Sequence, residues 1–509
     1  MAFDDTDRLA MLLIFGPPVA FLLWLSNRIL FPDKHSYPGI PAVGPTSPLL
    51  YYIGAIRLLF NGNEMVQEGY TRYKGGPFKV PELFNWHVVV SGPKMIEELR
   101  KAGDDELNFD EASAELDHTI GPAIHHDTYH IAVIRARLTR SIGAIFEDVR
   151  DELVESSNDA LPLSDGRNPE YIALNVNFAS SVMIGATMLR FFPVFLRPFA
   201  ALFVTNVSQT LEKTIKHLEG PIKDRLRMEK EYGKEWPGKP NDLLSWLMDE
   251  AKGEEREIHA LVLRVLTLNF ASIHTSSMSL THAVYHVAAH PEFADVMRKE
   301  VQQAISKYGW TKEATDNMPH IDSFLRESHR FNGLGSTTMA RKAMKDFTFS
   351  DGTFIPKGGF VSVVERPLHH DAENYEEPEV FNPWRFVEHK NAAKAESGEG
   401  VAGRFGVVST SAEYVTFGHG KHAWYAILHD SYDMVGERKA DNGGYDSPGR
   451  FFAANELKAM LAHLVLTYDI KMENEGVIPP PFNFGMKMIP NPKGEIMYRR
   501  RKSQSTTSV

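Results

Sequence analysis

Glu327-Ser328-His329-Arg330 sets a carboxylate and a guanidinium three residues apart, on one face of any helix that carries them. Alone, such a pair is no more than a common surface feature. Three further stretches follow it in order: Phe381-Asn382-Pro383-Trp384-Arg385-Phe386, Phe417-Gly418-His419-Gly420-Lys421-His422-Ala423 and Ser447-Pro448-Gly449-Arg450-Phe451-Phe452-Ala453. They bring arginines, whose fork suits carboxylates, together with closely spaced glycines and histidines. The 21 histidines are otherwise scattered, and neither an H-E-x-x-H zinc helix nor a G-x-S-x-G nucleophile elbow occurs. A membrane-anchored hydrolase therefore has little support. The cysteine count is zero, which removes disulfides, thiol catalysis, cysteine-ligated zinc and cysteine-held iron–sulfur clusters.

The elements that must position these residues are mainly helical. Ile258 to Ala289 reads as one long helix without proline, ended by Pro291. Further helices read from about Pro291 to Lys307 and around Ile321 to Phe331. Strand-like runs are short: Phe78 to Val80, His87 to Val90, Phe347 to Phe349 and Gly359 to Val364. Turns fall at Asp351-Gly352 and Lys357-Gly358-Gly359. Val387 to Gly406, rich in Ala, Gly, Lys and Glu, reads as a surface loop. Phe191 to Phe203 reads as core, with a second membrane contact as the other reading. The fold class is mainly α with small β-sheets.

With 509 residues, 43% hydrophobic and 24% charged, the chain has the composition of a globular protein and not of a disordered or multi-pass one. Its 66 acidic against 55 basic residues give a net charge of -11, so no basic surplus exists for a nucleic-acid partner. Leu9 to Asn27 is uncharged and mostly apolar, about 28 Å of helix, enough to cross a bilayer. Asp4, Asp5 and Asp7 precede it, unlike the basic start of a cleaved signal. Arg28 and Lys34 follow it and place the body on the cytoplasmic side. Tyr37-Pro38-Gly39-Ile40-Pro41-Ala42-Val43-Gly44-Pro45 is stiff, extended chain. The organisation is then a tail and anchor over 1–31, a proline-rich hinge over 32–48, a single domain over 49–495 and a basic, disordered tail over 496–509.

Order and spacing together resemble the cytochrome P450 family of haem-thiolate monooxygenases, especially fungal membrane-bound members, from the anchor to about residue 490. The resemblance implies one mostly helical domain with haem b between two helices. Glu327, Arg330 and Arg385 would be the buried network behind the haem, stable only with every partner present. Ala271-Ser272-Ile273-His274-Thr275-Ser276 would be the dioxygen-side stretch of the long helix, with Thr275 holding water and passing protons. The family usually has an acid before this threonine; here it is His274, either a relay or a packed helix histidine. Arg135 with His130, Arg341 and His422 would meet the haem carboxylates, and Phe417 and Arg450 belong to the haem loop. Residues 105–128 and 191–210 would shape substrate access. The implied partners are NADPH-cytochrome P450 reductase, dioxygen, an apolar small molecule and membrane lipid, at the endoplasmic reticulum membrane.

The haem loop departs from the family pattern F-G-x-G-x-H/R-x-C-x-G-R. Trp424 to Asp446 adds 23 residues inside it, and Ser447 stands at the cysteine position. A serine hydroxyl is a much poorer iron ligand than a thiolate. The edges are compatible with a retained intron: Trp-Tyr-Ala can be read TG|GTATGC and Asp-Ser as GATAG|C. Excision would leave TGC, a cysteine codon, before Pro448. The rival is a genuine insertion in a catalytically impaired relative, binding no haem or binding it through His419, His422 or His429.

Overall fold

A computed structural model describes residues 37–109 (except 48, 49 and 84), much of 111–151, 169–397 (except 191 and 193–195), 405–420 and 448–502 (except 475), with Leu22 before them. The anchor segment (apart from Leu22), His422, His429, Ser447 and the insertion 424–446 lie outside the described residues.

Helix α1 (Tyr51–Arg72) packs on a five-stranded sheet ordered β1-β2-β7-β4-β3. The strands are β1 (Pro77–Pro81), β2 (Trp86–Val90), β3 (Leu107–Asn108), β4 (Thr337–Ala343) and β7 (Phe360–Val364). Between β4 and β7 in sequence come the paired short strands β5 (Phe347–Thr348) and β6 (Phe354–Ile355). Every residue of β2 is buried, as an interior strand requires. It runs antiparallel to β1 and parallel to β7, with Val89 opposite Ser362. Gly69 lets α1 approach: a side-chain carbon there would fall 2.3 Å from the Phe78 ring.

The Trp-His-Val-Val-Val strand carries one polar side chain inward. His87 Nε2 lies 2.8 Å from Ser362 Oγ and its Nδ1 3.3 Å from Glu82 Oε1. The order serine–histidine–carboxylate is that of a hydrolytic triad, but Ser362 is only 1% exposed within the sheet. No substrate reaches it, so the line ties β2 to β7.

The helical body contains α2 (Pro93–Lys101), α3 (Pro169–Leu189), α4 (Arg197–Val204), α5 (Val207–Tyr232), α6 (Leu243–Glu250), α7 (Ile258–Ala289), α8 (Glu292–Tyr308), α9 (Pro319–Phe331), α10 (Arg385–Ser397) and α11 (Pro448–Thr467). The long helix α7 has the bounds its sequence predicts. It is buried all round over Leu261–Leu268 and His282–Ala288, the pattern of a central core helix. Helices α3 and α7 are long and apolar enough to cross a membrane, but α7 is mostly buried and is core. Helices α3, α5 and α6 pack on its N-terminal half, and α8, α9 and α11 farther along the chain.

Four readings of the sequence are corrected. Val387–Gly406 is not all loop: α10 runs to Ser397, since Ala, Lys and Glu favour helix. On α4, Ala200 and Ala201 are buried against Leu189, but Phe199, Leu202 and Phe203 are 66%, 76% and 68% exposed, so only one face of that segment is core. The proline-rich segment is no free hinge over Tyr37–Val43. Tyr37, Ile40 and Val43 are buried, and Pro41 O and Val43 N bond Lys79 of β1 at 2.9 Å each. The tail is not disordered at its start: Ile496–Arg500 forms β11, antiparallel to β8 (Tyr468–Met472). Its basic residues bind one carboxylate, Arg499 and Arg501 reaching Asp469 at 3.0 and 2.7 Å. A further hairpin pairs β9 (Phe482–Phe484) with β10 (Lys487–Ile489).

Replacing Ser362 by alanine leaves His87 Nε2 buried without its partner. The expected cost is about 1–3 kcal/mol, seen as a lower denaturant midpoint at unchanged slope.

Candidate functional site

Glu327 lies fully buried on α9 with both carboxylate oxygens engaged. Arg330, one turn on, donates from Nε to Oε2 and from Nη2 to Oε1, each at 2.8 Å. Arg385, at the start of α10, donates from Nε at 3.2 and 3.3 Å. The Asn382 amide donates to Oε1 at 3.0 Å. One negative charge faces two positive ones, and backbone carbonyls take up the remaining donors. Arg330 Nη1 reaches the carbonyls of His369 and Pro378 at 2.7 and 2.9 Å. Arg385 reaches those of Glu376 and Val380 at 2.5 and 3.1 Å. Four chain segments are thereby held on one buried carboxylate.

The glycine-bearing loop hangs from the same helix. The Arg326 guanidinium stacks over Phe386 at 4.5 Å and Tyr414 at 4.1 Å and donates to the Gly406 carbonyl. Asp322 accepts from the Val407 amide at 2.9 Å and from Lys458 of α11 at 3.0 Å. The Val415 amide donates to His369 Nε2 at 3.1 Å. Phe417 is buried edge-on to the His329 ring, centroids 5.3 Å apart. Gly418 and Gly420 adopt φ +71° and +81°, a left-handed backbone that explains glycine at both positions.

On α7, Ala271 and Thr275 are buried, and Thr275 Oγ1 donates to the Ala271 carbonyl at 3.0 Å. Its hydroxyl proton is thus committed to the helix, while the oxygen keeps lone pairs to accept with. His274 stands edge-on to Phe270 at 5.9 Å, and its buried Nε2 has no hydrogen-bond partner. Ser276 Oγ donates to Glu456 Oε2 on α11 at 3.0 Å.

The expected cationic residues sit in separate surroundings. Arg341 on β4 is buried over Phe109 at 5.5 Å. Just before it, Met339 takes φ +54°, and the β4–β7 register shifts between Thr338 and Arg341. This bulge sets the face on which Arg341 lies. Arg450, in the first turn of α11, is buried with its guanidinium 5.0 Å from the Phe451 ring. His130 is fully buried, but its Nδ1 lies 2.6 Å from Arg264 Nη1. Arg264 precedes Thr275 by eleven residues on α7, about 16 Å along the axis. It bonds Glu255 at 3.0 Å and the Asp127 carbonyl. Arg135 lies in the π-turn Ile134–Leu138, its side chain outside the description.

Sequence reading missed Arg264, Arg326 and Glu456. Arg264 carried a signal, as a lone charge within the apolar run Leu261–Leu268. Arg326 and Glu456 carried none, because charged residues are ordinary on helices.

Buried cations such as Arg341 and Arg450 suit a dianionic macrocycle. The axial donor is a different matter. The chain holds no cysteine, so no thiolate can come from it. His419 already has Nε2 2.7 Å from Glu97 Oε1 and Nδ1 3.2 Å from Thr410 Oγ1, which leaves neither nitrogen open to iron. The residues present fit the rim of a haem and not its thiolate ligation.

Comparison with known proteins assigns the architecture. The cytochrome P450 family model matches residues 160–423 and stops one residue before Trp424. Cytochrome P450 monooxygenase 151 of Postia placenta is 37% identical, over 98% of this chain and all of that protein. An ent-kaurene oxidase of Gibberella intermedia is 27% identical, covering 95% of this chain and 92% of its own. The solved structure of retinoic acid bound cyanobacterial CYP120A1 shares the fold, with a TM-score of 0.58 at 17% identity, over 92% of this chain and all of its own. The fold and the motif order define a haem-binding oxidoreductase. The chain belongs to the cytochrome P450 family, whose named relatives are monooxygenases.

Two outcomes follow. Glu327→Ala leaves two buried guanidinium groups without their counter-charge and is expected to cost about 3–5 kcal/mol in urea unfolding. Acid also destabilises. Burial lowers His282 to about 4, His286 to about 3 and His329 to about 4, from 6.5. The unfolded chain therefore binds more protons than the folded one as pH falls below about 6.5, so stability drops from there toward pH 4. His369 and His463, also lowered, act the same way, while the raised carboxyls Glu365 and Glu456 oppose them in part. Urea midpoints at pH 7, 6 and 5 should fall in that order, each fully coupled histidine contributing on the order of 1 kcal/mol per pH unit.

Proposed function

We propose that the gene encodes a membrane-anchored monooxygenase that oxidises an apolar small molecule with dioxygen and electrons from NADPH-cytochrome P450 reductase. The chain as written is the catalytically impaired form of that enzyme. One observation carries both halves: the complete Glu327–Arg330–Arg385 network stands behind a haem loop that contains no cysteine. Bound haem supplies the dioxygen chemistry, and thiolate ligation favours O–O cleavage. The chain's own residues position and hold. Arg341, with Arg135 and His422, would serve the haem carboxylates, Arg450 would belong to the haem loop, and Ala271 and Phe417 would pack against the macrocycle; His130, expected beside them, is taken up by Arg264. Thr275 accepts a water hydrogen bond through its free lone pairs, and His274 Nε2 is open to hold a proton beside it.

The small-molecule substrate is supported by a relative named an ent-kaurene oxidase. Attachment to the endoplasmic reticulum membrane, with the body on the cytoplasmic side, is supported by the uncharged Leu9–Asn27 segment. Exposed Ile53, Ile56 and Phe60 on α1 and Phe199, Leu202 and Phe203 on α4 fit the same setting.

Retention of an intron explains the loop best. The family match ends at residue 423, where the compatible splice edge begins. Reverse transcription across the codons from Ala423 to Pro448 tests it. A message lacking 23 codons, with a cysteine codon at the join, is expected; a mature message that keeps them makes this protein an impaired relative. In parallel, the ferrous carbon monoxide spectrum of the chain as written should lack the thiolate-type band. Deletion of 424–446 with Ser447→Cys should restore it, and a thiolate band in the unaltered chain would overturn the proposal.

A further inference from the structure

The hairpin of β9 and β10 leaves one face open, and that face is apolar with a single charge. Lys487 stands opposite Phe484 and Ile489 opposite Phe482, and residues directly opposed in an antiparallel pair share a face. Phe482 and Ile489 are 55% and 39% exposed, Phe484 is half-buried, and Lys487 is exposed beside them. Met488, on the other face, is buried. The hairpin is fixed at both ends. The Gly485 amide at its turn donates to the Leu59 carbonyl of α1 at 2.8 Å. The Ser336 amide donates to the Met486 carbonyl at 2.8 Å, and the Met488 amide to the Leu334 carbonyl at 3.1 Å. Leu334 and Ser336 join α9, which carries Glu327, to β4, which carries Arg341. The open face is thus tied to two elements that carry the site's charges.

Lys487 has no hydrogen bond or ion pair with any described residue. Two charged groups lie within its electrostatic reach, Arg190 and Glu365. Arg190, just past the end of α3, repels it and lies 3.9 Å from a carboxylate of its own, Glu82. Glu365 is no counter-ion on this face. It is 3% exposed, and its unpaired Oε1 lies 2.8 Å from where a side-chain carbon on Gly333 would sit. Lys487 touches solvent, yet enough protein surrounds its ammonium for desolvation to lower its pKa. A flat surface would leave it fully hydrated, so the setting is concave. We infer that Lys487 anchors the anionic group of the substrate, which makes that substrate an apolar carboxylic acid, with Phe482, Phe484 and Ile489 against its carbon skeleton. The inference rests on the monooxygenase reading for the word substrate; the anion site itself does not. One ammonium balances one negative charge, which a carboxylate carries at neutral pH and a phosphate monoester exceeds. A charge-assisted hydrogen bond then compensates what the ammonium loses in hydration.

The test is calorimetric titration of the full chain, held in discs of neutral lipid at pH 7 with no haem added. The probes are adamantane carboxylate and its neutral amide, which share one apolar cage. The carboxylate is expected to bind about tenfold more tightly, the factor that one charge-assisted hydrogen bond supplies. Lys487→Met should remove the difference and leave the amide's affinity as it was, while Lys487→Arg should keep the difference. Equal affinities in the wild-type chain would overturn the inference. So would a preference that survives in Lys487→Met, since the carboxylate would then sit on another cation. A lipid surface is the rival occupant of this face. Lys487→Met should not change attachment to phosphatidylserine vesicles; a marked loss there, with the carboxylate preference kept, would assign the face to the membrane instead.

Failure of the titration leaves the monooxygenase reading untouched, because no haem takes part in it. The converse is read from the chain with 424–446 deleted and Ser447→Cys. Absence of the thiolate band there, with the carboxylate preference present, removes the monooxygenase reading and leaves an anion site. In a chain that turns over, Lys487→Met should raise KM for an apolar acid about tenfold and leave KM for its amide as it was. A rise shared by acid and amide would mean lost packing and not lost charge, and would overturn the inference.

Discussion

Everything around the site leans on one buried negative charge. The Glu327 carboxylate holds two guanidinium groups and a backbone amide, and those guanidinium groups hold the carbonyls of residues 369–380. Such an arrangement is not a cheap way to stabilise a core. Desolvating three charges costs several kcal/mol per ion, and well-packed apolar residues often do as well. What the charges supply is direction. A hydrogen-bond fork fixes distance and angle where apolar contact fixes only volume. Helix α9, helix α10 and the segment between them thus have one mutual orientation. The glycine loop inherits it through Arg326, Asp322 and His369.

Much of the architecture was legible in the sequence because it rests on short-range patterns. Helix α7 was readable from an uninterrupted apolar run closed by His290-Pro291, and its observed bounds are those of the run. The strands β1, β2 and β7 were readable from clustered valines and aromatics. The pair Glu327 and Arg330 was readable from helical spacing, and Arg385 from its place in the motif order; their meeting was not, since it depends on a fold that brings residues 58 apart together. What stayed hidden was long-range. Strand β11 is a basic tail until Asp469 and β8 are placed beside it. His130 resembles a haem-side residue until Arg264 comes across from α7. Glu456 is an ordinary helix acid until Ser276 faces it.

The site combines a complete scaffold with an incomplete donor set. Arg341, Arg450 and Thr275 lie buried on β4, α11 and α7, and Met339, at φ +54°, forms part of the bulge before Arg341. Fold and chemistry are separable here because the scaffold's contacts lie behind the haem loop and not in it. Residues 405–420 and α11 are both anchored to α9 through Asp322, and α11 has a further contact with α7 at Ser276. The loop spans two fixed posts, and added length there is entropically mild, growing only with the logarithm of loop size.

The closing strand β11 has a consequence for how the chain is made. Its partner β8 leaves the ribosome first and must wait with a bare edge until Ile496–Arg500 emerges. An inserted stretch of whole codons upstream preserves the reading frame, so β11 and both arginines that neutralise Asp469 are still translated. A frame-breaking insertion at the same place would remove them and leave that edge open to pairing with other chains. Cellular quality control would then meet two different products. One keeps its closing strand and differs only in the loop. The other is an unfinished sheet.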